Sequence, residues 1–322
     1  MTFKERKLAF EQQARPEESA LLRFEGVEGY DLYNCSIPFT KDGQGYVYGR
    51  VEKREEWARS WVRLFRQVGP DHYQVLPQSM IYQLEDPFIS LIQGELVLGG
   101  THVMKTPTSY GPLFGYFYRG LDLEDMRYFA TGPTDMKDIR LVMLKDGGIG
   151  VFSRPRGEEV QKLHGSESVV GFARINSLDQ LTAQVIEEAK IIDNMFAHHE
   201  WGGCNQCYLL DSGLIGIIGH KSYPDKTAQG EELSVYTNVA FVFDPEHNRV
   251  VHEKIIATRG SFPQAVAKVP KLVDCAFASG IRMRDDGKAD LYSGLGDTHQ
   301  GRVVIDYPFE GFGKLVAGNI DL

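Results

Sequence analysis

The chain has 322 residues, 42% of them hydrophobic and 25% charged, with a formal net charge of −9. That balance is ordinary for a globular protein, and the negative charge works against nucleic acid as a main partner, because such binding rests on neutralising phosphates. No apolar run is long enough to span a membrane. The start, "MTFKERKLAFEQQARPEE", lacks the apolar stretch of a signal peptide, and only Cys35, Cys204, Cys207 and Cys275 are available for disulfides. The expected setting is cytoplasmic, without a membrane partner.

Taken in chain order, residues 3 to 14 are expected to form a short leading helix. Asn34 then opens, and Arg50 closes, a hairpin containing "KDGQGYVYGRVE". The stretch "LEDPFISLIQGELVLGG", residues 84 to 100, reads as two strands joined at Gly94. Pro87 cannot donate to a ladder, so it belongs at the first position of a strand or on an edge. Asp86 therefore stands where a strand begins, either as a turn-former or as a carboxylate aimed into a cleft. Further on, Lys137 and Asp138 precede "IRLVML", and Arg154 ends that hairpin in "VFSRPRG".

The segment "SLDQLTAQVIEEAKIID" has helical apolar spacing, with Ser177 and Gln180 placed as a capping box. It is expected to be a helical insertion between sheets. Next come His198 and His199 in "AHHEWGG", then Cys204-Asn-Gln-Cys207. The continuation "CYLLDSGLIGIIGH" reads as strand, turn, strand, so this C-x-x-C does not open the helix a thioredoxin-like motif needs. No second ligand pair accompanies it, so a structural zinc is not expected. His220 and Lys221 end that hairpin. Two more follow, in "VAFVFDPEHNRVVHEKII" and "RDDGKADLYSGLGD", the second ending at Asp297.

These Gly-centred hairpins recur about every 50 residues, the spacing of propeller blades. The expectation is an all-β fold: one five-bladed β-propeller domain over residues 1–322, with a short helical insertion. In a propeller the polar residues near strand starts converge on a central funnel. Several cations there favour an anionic ligand, and phosphate is the simplest. His198 and His199 are adjacent and on a strand would point to opposite faces. No H-E-x-x-H, phosphate-binding loop, dinucleotide fingerprint or nucleophile elbow occurs. No metal and no cofactor are therefore expected, and carboxylate chemistry on a sugar is what remains.

At this point "LEDPFISLIQGELVLGG" resembles the Glu-Asp-Pro-Arg strand motif of glycoside hydrolase family 130, the five-bladed β-mannoside phosphorylases. "KDIRLVMLKDGGIGVFSRP", "HEWGGCNQCYLLDSGLIGIIGH", "YTNVAFVFDPEHNRVV" and "CAFASGIRMRDDGKADLYSGLGD" continue the likeness in order. The chain is still more similar to glycosyltransferase family 108, the related mannosyltransferase/phosphorylases once grouped as DUF1861. The resemblance implies Asp86 as catalytic acid, acting through the 3-hydroxyl of a bound mannose. It implies Asn34, Arg50 and Asp297 as sugar-binding residues, and Lys137, Arg154 and His220 as phosphate contacts, with His199 near another. The partners implied are a mannoside or small oligosaccharide and inorganic phosphate or a sugar phosphate. The reaction implied is inverting phosphorolysis, or synthesis, of β-mannosides, β-1,2-linked ones above all. Phe88 departs from the Arg of the motif, and Cys-Asn-Gln-Cys replaces a Pro-rich turn, both bearing on acceptor identity. A glycosidase using Asp138, Glu200 or Asp297 to activate water, and a non-catalytic glycan-binding propeller using "YGPLFGYFYRG", are the alternative readings.

Overall fold

In the computed structural model, which describes residues 1–14, 16–105 and 110–322 (residue 110 by its backbone only), the hairpins are the sheets of a five-bladed β-propeller. In blade one, Asp31–Tyr33 and Phe39–Lys41 both pair with Gln44–Glu52, followed outward by Trp61–Gly69 and His72–Val75. Blade two runs Glu85–Ile92, Glu95–Lys105, Tyr110–Gly120, Arg127–Thr131. Blade three starts at Arg140–Met143 and ends on the short strand Lys190–Ile191. Blade four comprises Trp201–Leu209, Ile215–Lys226, Glu232–Asp244 and Arg249–Ala257. Blade five starts at Ala276–Met283, and its fourth strand is Ser19–Leu21, from the other end of the chain.

That borrowed strand closes the ring. Just after it, Arg23–Glu25 adds to the outside of blade one, parallel to His72–Val75. Arg302 of blade five forks onto Asp71 of blade one at 2.6 and 2.7 Å and also reaches Asp290 at 2.9 Å. A two-pronged guanidinium–carboxylate pair fixes direction as well as distance, so it locks the last blade to the first.

Blades stack face on face, and a strand buried on both sides reads as a continuous apolar run. "GLIGIIG" of blade four behaves this way: Ile217 packs with Phe152, Phe241 and Phe243 on one side, Ile218 with Val242, Leu291 and Phe309 on the other. Each such side chain contributes about 1.5–3 kcal/mol when fully buried. The leading helix is present as Phe3–Gln13, capped by a reciprocal Thr2–Glu5 box. Among the described residues no helix is long and apolar enough to cross a membrane.

The expected helix over "SLDQLTAQVIEEAKIID" is broken into three pieces. Leu178–Gln180 is a 3-10 turn, Ala183–Glu187 a short helix capped by Thr182, and Lys190–Ile191 the outer strand of blade three. Ser177 makes no cap bond, while the Gln180 side chain accepts from the Asn176 N–H at 2.7 Å. Leu178, Leu181, Ile186, Ala189 and Ile192 are all buried. The apolar spacing therefore reports which residues face the core, and Thr182 starts a new helix in the middle of the segment.

Three inner strands carry an irregularity where they meet the axis. Ladder register shifts between Glu85 and Phe88, between Cys204 and Gln206, and between Ala278 and Gly280. A bulge adds an unpaired residue and re-aims side chains. Pro87 sits inside the first, where its missing N–H costs nothing. These bulges place Asp86, Asn205 and Ser279 around one small polar cavity at the floor of the funnel.

Candidate active site

The funnel encloses about 910 Å³. All seven residues singled out for sugar, proton and phosphate handling line it: Asn34, Arg50, Asp86, Lys137, Arg154, His220 and Asp297. Four polar residues of its wall, Asn34, Asp86, Asp138 and Asp297, have φ between 46° and 58°. Asn and Asp visit this left-handed region at lower cost than other L-residues.

On one side Asp86, 5% exposed, is held by two donors. Asn34 Nδ2 and Arg50 Nη1 each donate to its Oδ1 at 2.8 Å, which leaves Oδ2 outside both bonds. Consecutive side chains on a regular strand point to opposite faces. The bulge and the φ of 49° at Asp86 instead turn Glu85 toward the same guanidinium, its Oε1 3.1 Å from Arg50 Nη2. Arg50 also donates to Ser60 at 2.8 Å, lies 3.6 Å from Glu52 and stacks 4.5 Å over the Tyr33 ring. Behind it Glu52 accepts from Tyr33 at 2.6 Å and pairs with Lys268.

One guanidinium thus serves several carboxylates, and their acidities show it. Burial pushes Glu85 up against the opposing pull of Arg50. Burial likewise pushes Asp297 up to about 6, with Asp86 adding to the rise and Arg50 and Lys137 opposing it.

The facing side is cationic. Asp138, buried, lies 3.1 Å from Arg154 Nη1 and 4.0 Å from Arg140 Nη2. Burial works against its charge, but Arg154, Lys137 and Arg140 outweigh it and hold the carboxyl well below the usual range. Arg154 Nε donates to the Gly202 carbonyl at 2.5 Å, and Arg140 Nε to the Asn205 carbonyl at 2.6 Å. His220 is 0% exposed, and burial, aided by Arg154, pushes its ring far toward the neutral form. Arg154 Nη1 is held by the ion pair with Asp138, whereas His220 Nε2 is buried and makes no hydrogen bond among the described residues. Buried polar groups are nearly always partnered, so an unpartnered His220 Nε2 beside Arg154 in the funnel wall is a feature a ligand could satisfy.

Some sequence expectations fall elsewhere. His199 is exposed in a turn, outside the funnel, with its ring 3.8 Å from that of His198. The cations of "GHK" divide: His220 faces inward, while Lys221 turns away to pair with Glu200 at 3.0 Å and Glu253 at 3.1 Å. Glu200 is thereby used up outside the funnel and is no candidate for activating water there. All four cysteines are buried and unpaired. In "YGPLFGYFYRG" Leu113 lines the funnel mouth and Phe117 is core, while the Tyr110 side chain lies outside the described residues.

Three residues around the site were not picked out from sequence: Glu85 in the funnel wall, and Arg140 and Asn205 in the small cavity at its floor. An arginine inside the apolar "IRLVML" was a legible signal, since a buried guanidinium needs partners. The other two depend on bulges that no local pattern announces.

A family described as a protein of unknown function (DUF1861) matches residues 8–311. MPT-4, a mannose phosphorylase from Leishmania mexicana solved with a phosphate ion, is 48% identical over 98% of this chain and 96% of its own, with a TM-score of 0.93. MPT-1, a GDP-Man-dependent mannosyltransferase from Leishmania mexicana, is 46% identical over 100% of both chains, with a TM-score of 0.92. A β-1,2-mannobiose phosphorylase from Listeria innocua is 13% identical over 92% of this chain and 93% of its own, at a TM-score of 0.59. That last likeness speaks for the fold alone. Curated proteins contain no match. With a whole-chain match to its model, and relatives near half identity over the same length, the chain belongs to the DUF1861 family.

Proposed function

We propose that the protein is a glycoside phosphorylase/mannosyltransferase that transfers mannose between β-mannosides and phosphate. The observation that carries this reading is the division of the funnel. A carboxylate held through one oxygen by Asn34 and Arg50 faces a cationic wall where Arg154 stands beside His220, whose Nε2 has no hydrogen-bond partner among the described residues. The near-half identity to a mannose phosphorylase solved with phosphate supports the same assignment.

Phosphate held by Arg154, Lys137 and His220 attacks the anomeric carbon, and the bond to the leaving oxygen breaks. Asp86 supplies the proton that oxygen needs, relayed through the 3-hydroxyl of the mannose. Asn34, Arg50 and Asp297 hold that mannose. The products are mannose 1-phosphate and a shortened glycan. An inverting hydrolase needs a second carboxylate to activate water, whereas phosphate arrives as its own anionic nucleophile. Asp138 is the carboxylate nearest the anion site, and its ion pair with Arg154 suits it to orienting that arginine. The setting we infer is the cytoplasm, where four unpaired thiols are at home.

The test is release of inorganic phosphate from mannose 1-phosphate in the presence of mannose or short β-1,2-mannosides, with GDP-mannose as a parallel donor. Phosphate release with a lengthened glycan supports the reading. Transfer from GDP-mannose alone would replace it with nucleotide-dependent synthesis, and release of free mannose at equal rates without phosphate would replace it with hydrolysis.

A further inference from the structure

Asn205, the unpaired residue of the bulge between Cys204 and Gln206, has a side chain that the proposed mechanism does not use. The bulge takes its carbonyl off the ladder, where Arg140 Nε binds it at 2.6 Å, and brings its side chain to the axis. There Asn205 Oδ1 lies 2.8 Å from His220 Nδ1. An amide oxygen can only accept, so Nδ1 carries the proton and, in a neutral ring, Nε2 carries a lone pair. The ring cannot turn away: Phe277 lies 4.6 Å from its centre and Tyr236 5.8 Å. Its neutrality follows from burial and from Arg154, Lys137 and Arg140 around it, against the single carboxylate of Asp138. Arg154 and His220 flank Gly203 so closely that a Cβ there would meet Arg154 Nε at 2.9 Å and His220 Cε1 at 3.3 Å. The acceptor nitrogen and the guanidinium therefore serve one ligand position.

We propose that Asn205 is a positioning residue: it fixes His220 with the Nε2 lone pair toward the funnel, so that the anion site selects an oxyanion carrying a proton. Near neutral pH phosphate always retains at least one proton, and sulfate has none. The P–O–H of phosphate donates to His220 Nε2 while its unprotonated oxygens face Arg154 and Lys137, one of them free to attack. Sulfate would set an oxygen lone pair against the nitrogen lone pair and leave both unpaired. This selectivity deepens the phosphorolysis reading and rests on it for the identity of the ligand.

The experiment is calorimetric titration of the unliganded protein with inorganic phosphate and with sulfate, alongside nitrogen-15 NMR of histidine-labelled protein. Wild type is expected to show His220 protonated on Nδ1 and to prefer phosphate over sulfate by at least about 100-fold. In Asn205→Ala the ring can take the other tautomer and donate from Nε2. The preference is then expected to fall to about tenfold or less, with the KM for phosphate rising by roughly tenfold and that for the mannoside unmoved. The wild-type measurements stand even if the variant does not fold. Equal binding of the two anions, or a wild-type ring protonated on Nε2, would overturn the inference while leaving phosphorolysis intact. No binding of either anion, with the Nδ1 tautomer present, would overturn phosphorolysis and the anion selectivity together.

Discussion

The two sides of the funnel are made from the same kinds of residue in opposite proportion. On the side formed by blades one, two and five, Arg50 is within reach of Glu52, Glu85 and Asp86, with Asp297 pushed up to about 6 nearby. On the side formed by blades three and four, Arg154, Arg140 and Lys137 outnumber Asp138, and His220 is pushed toward the neutral form by burial and by the cations its charge would join. The difference teaches how one funnel can present two unlike surfaces, as the proposed transfer between a sugar and an oxyanion requires. An excess of carboxylate over cation favours groups that share protons, as sugar hydroxyls do. An excess of cation favours an oxyanion. Lys137 acts on both sides, opposing the rise that burial gives Glu85 and Asp297 and helping to hold Asp138 down.

The largest expected effect comes from neutralising the acidic side at its centre. Asp86→Asn keeps an oxygen for Asn34 and Arg50 but cannot supply a proton, so turnover should fall by about 10²- to 10⁴-fold. Steady-state rates with mannose 1-phosphate, and a melting curve showing the variant folded, test this. Unchanged turnover in a folded variant would end the assignment of the acid.

On the cationic side the corresponding change is Arg154→Ala. It should raise the phosphate KM by about 100-fold, as expected for a lost charge-assisted contact, while the mannoside KM changes little. It also leaves Asp138 buried without its nearest ion partner, which should lower stability by about 3–5 kcal/mol. The double variant Asp138→Asn/Arg154→Ala should regain most of that stability but none of the phosphate affinity. Recovery of both would mean that Arg154 serves the fold and that the two sides are not functionally distinct.

How much of this was legible in the sequence depends on the range over which each feature is encoded. The propeller was readable because every blade repeats a local unit, strands around Gly at a steady interval. Asp86 could be placed at a strand start because Pro87 beside it restricts what the strand can do there, while its role as an acid came only from the resemblance. Arg50 and Asp297 could be placed only by resemblance, since no local pattern says that residues from blades one, two and five meet. Glu85 is not legible locally, because regular alternation would set it on the face opposite Asp86 and the bulge reverses that. His199 was placed near the phosphate contacts by the resemblance, yet a turn carries it out to solvent. The lost helix near residue 180 has the same origin: apolar spacing encodes burial, and burial is compatible with a 3-10 turn, a short helix and an edge strand in succession.

The smallest and most discriminating effect concerns the excess negative charge itself. Asp297 titrates near 6 in the folded protein, against about 3.9 in an unfolded chain. The native state therefore holds this proton more tightly than the unfolded state does. Its contribution to stability is complete below about pH 4 and is lost as pH rises toward and through about 6, by about 3 kcal/mol in total. Asn at this position has the same shape and cannot ionise, so it removes the loss. Asp297→Asn should match wild type in urea unfolding near pH 4 and exceed it by up to about 3 kcal/mol above pH 7, even as its affinity for the mannoside falls. Parallel stability curves for the two proteins would mean that Arg50 and Lys137 fully compensate Asp297, and that the acidic side carries no surplus of charge. A diverging pair would show that the surplus is real, is kept at a cost in stability, and is present where the sugar is expected to bind.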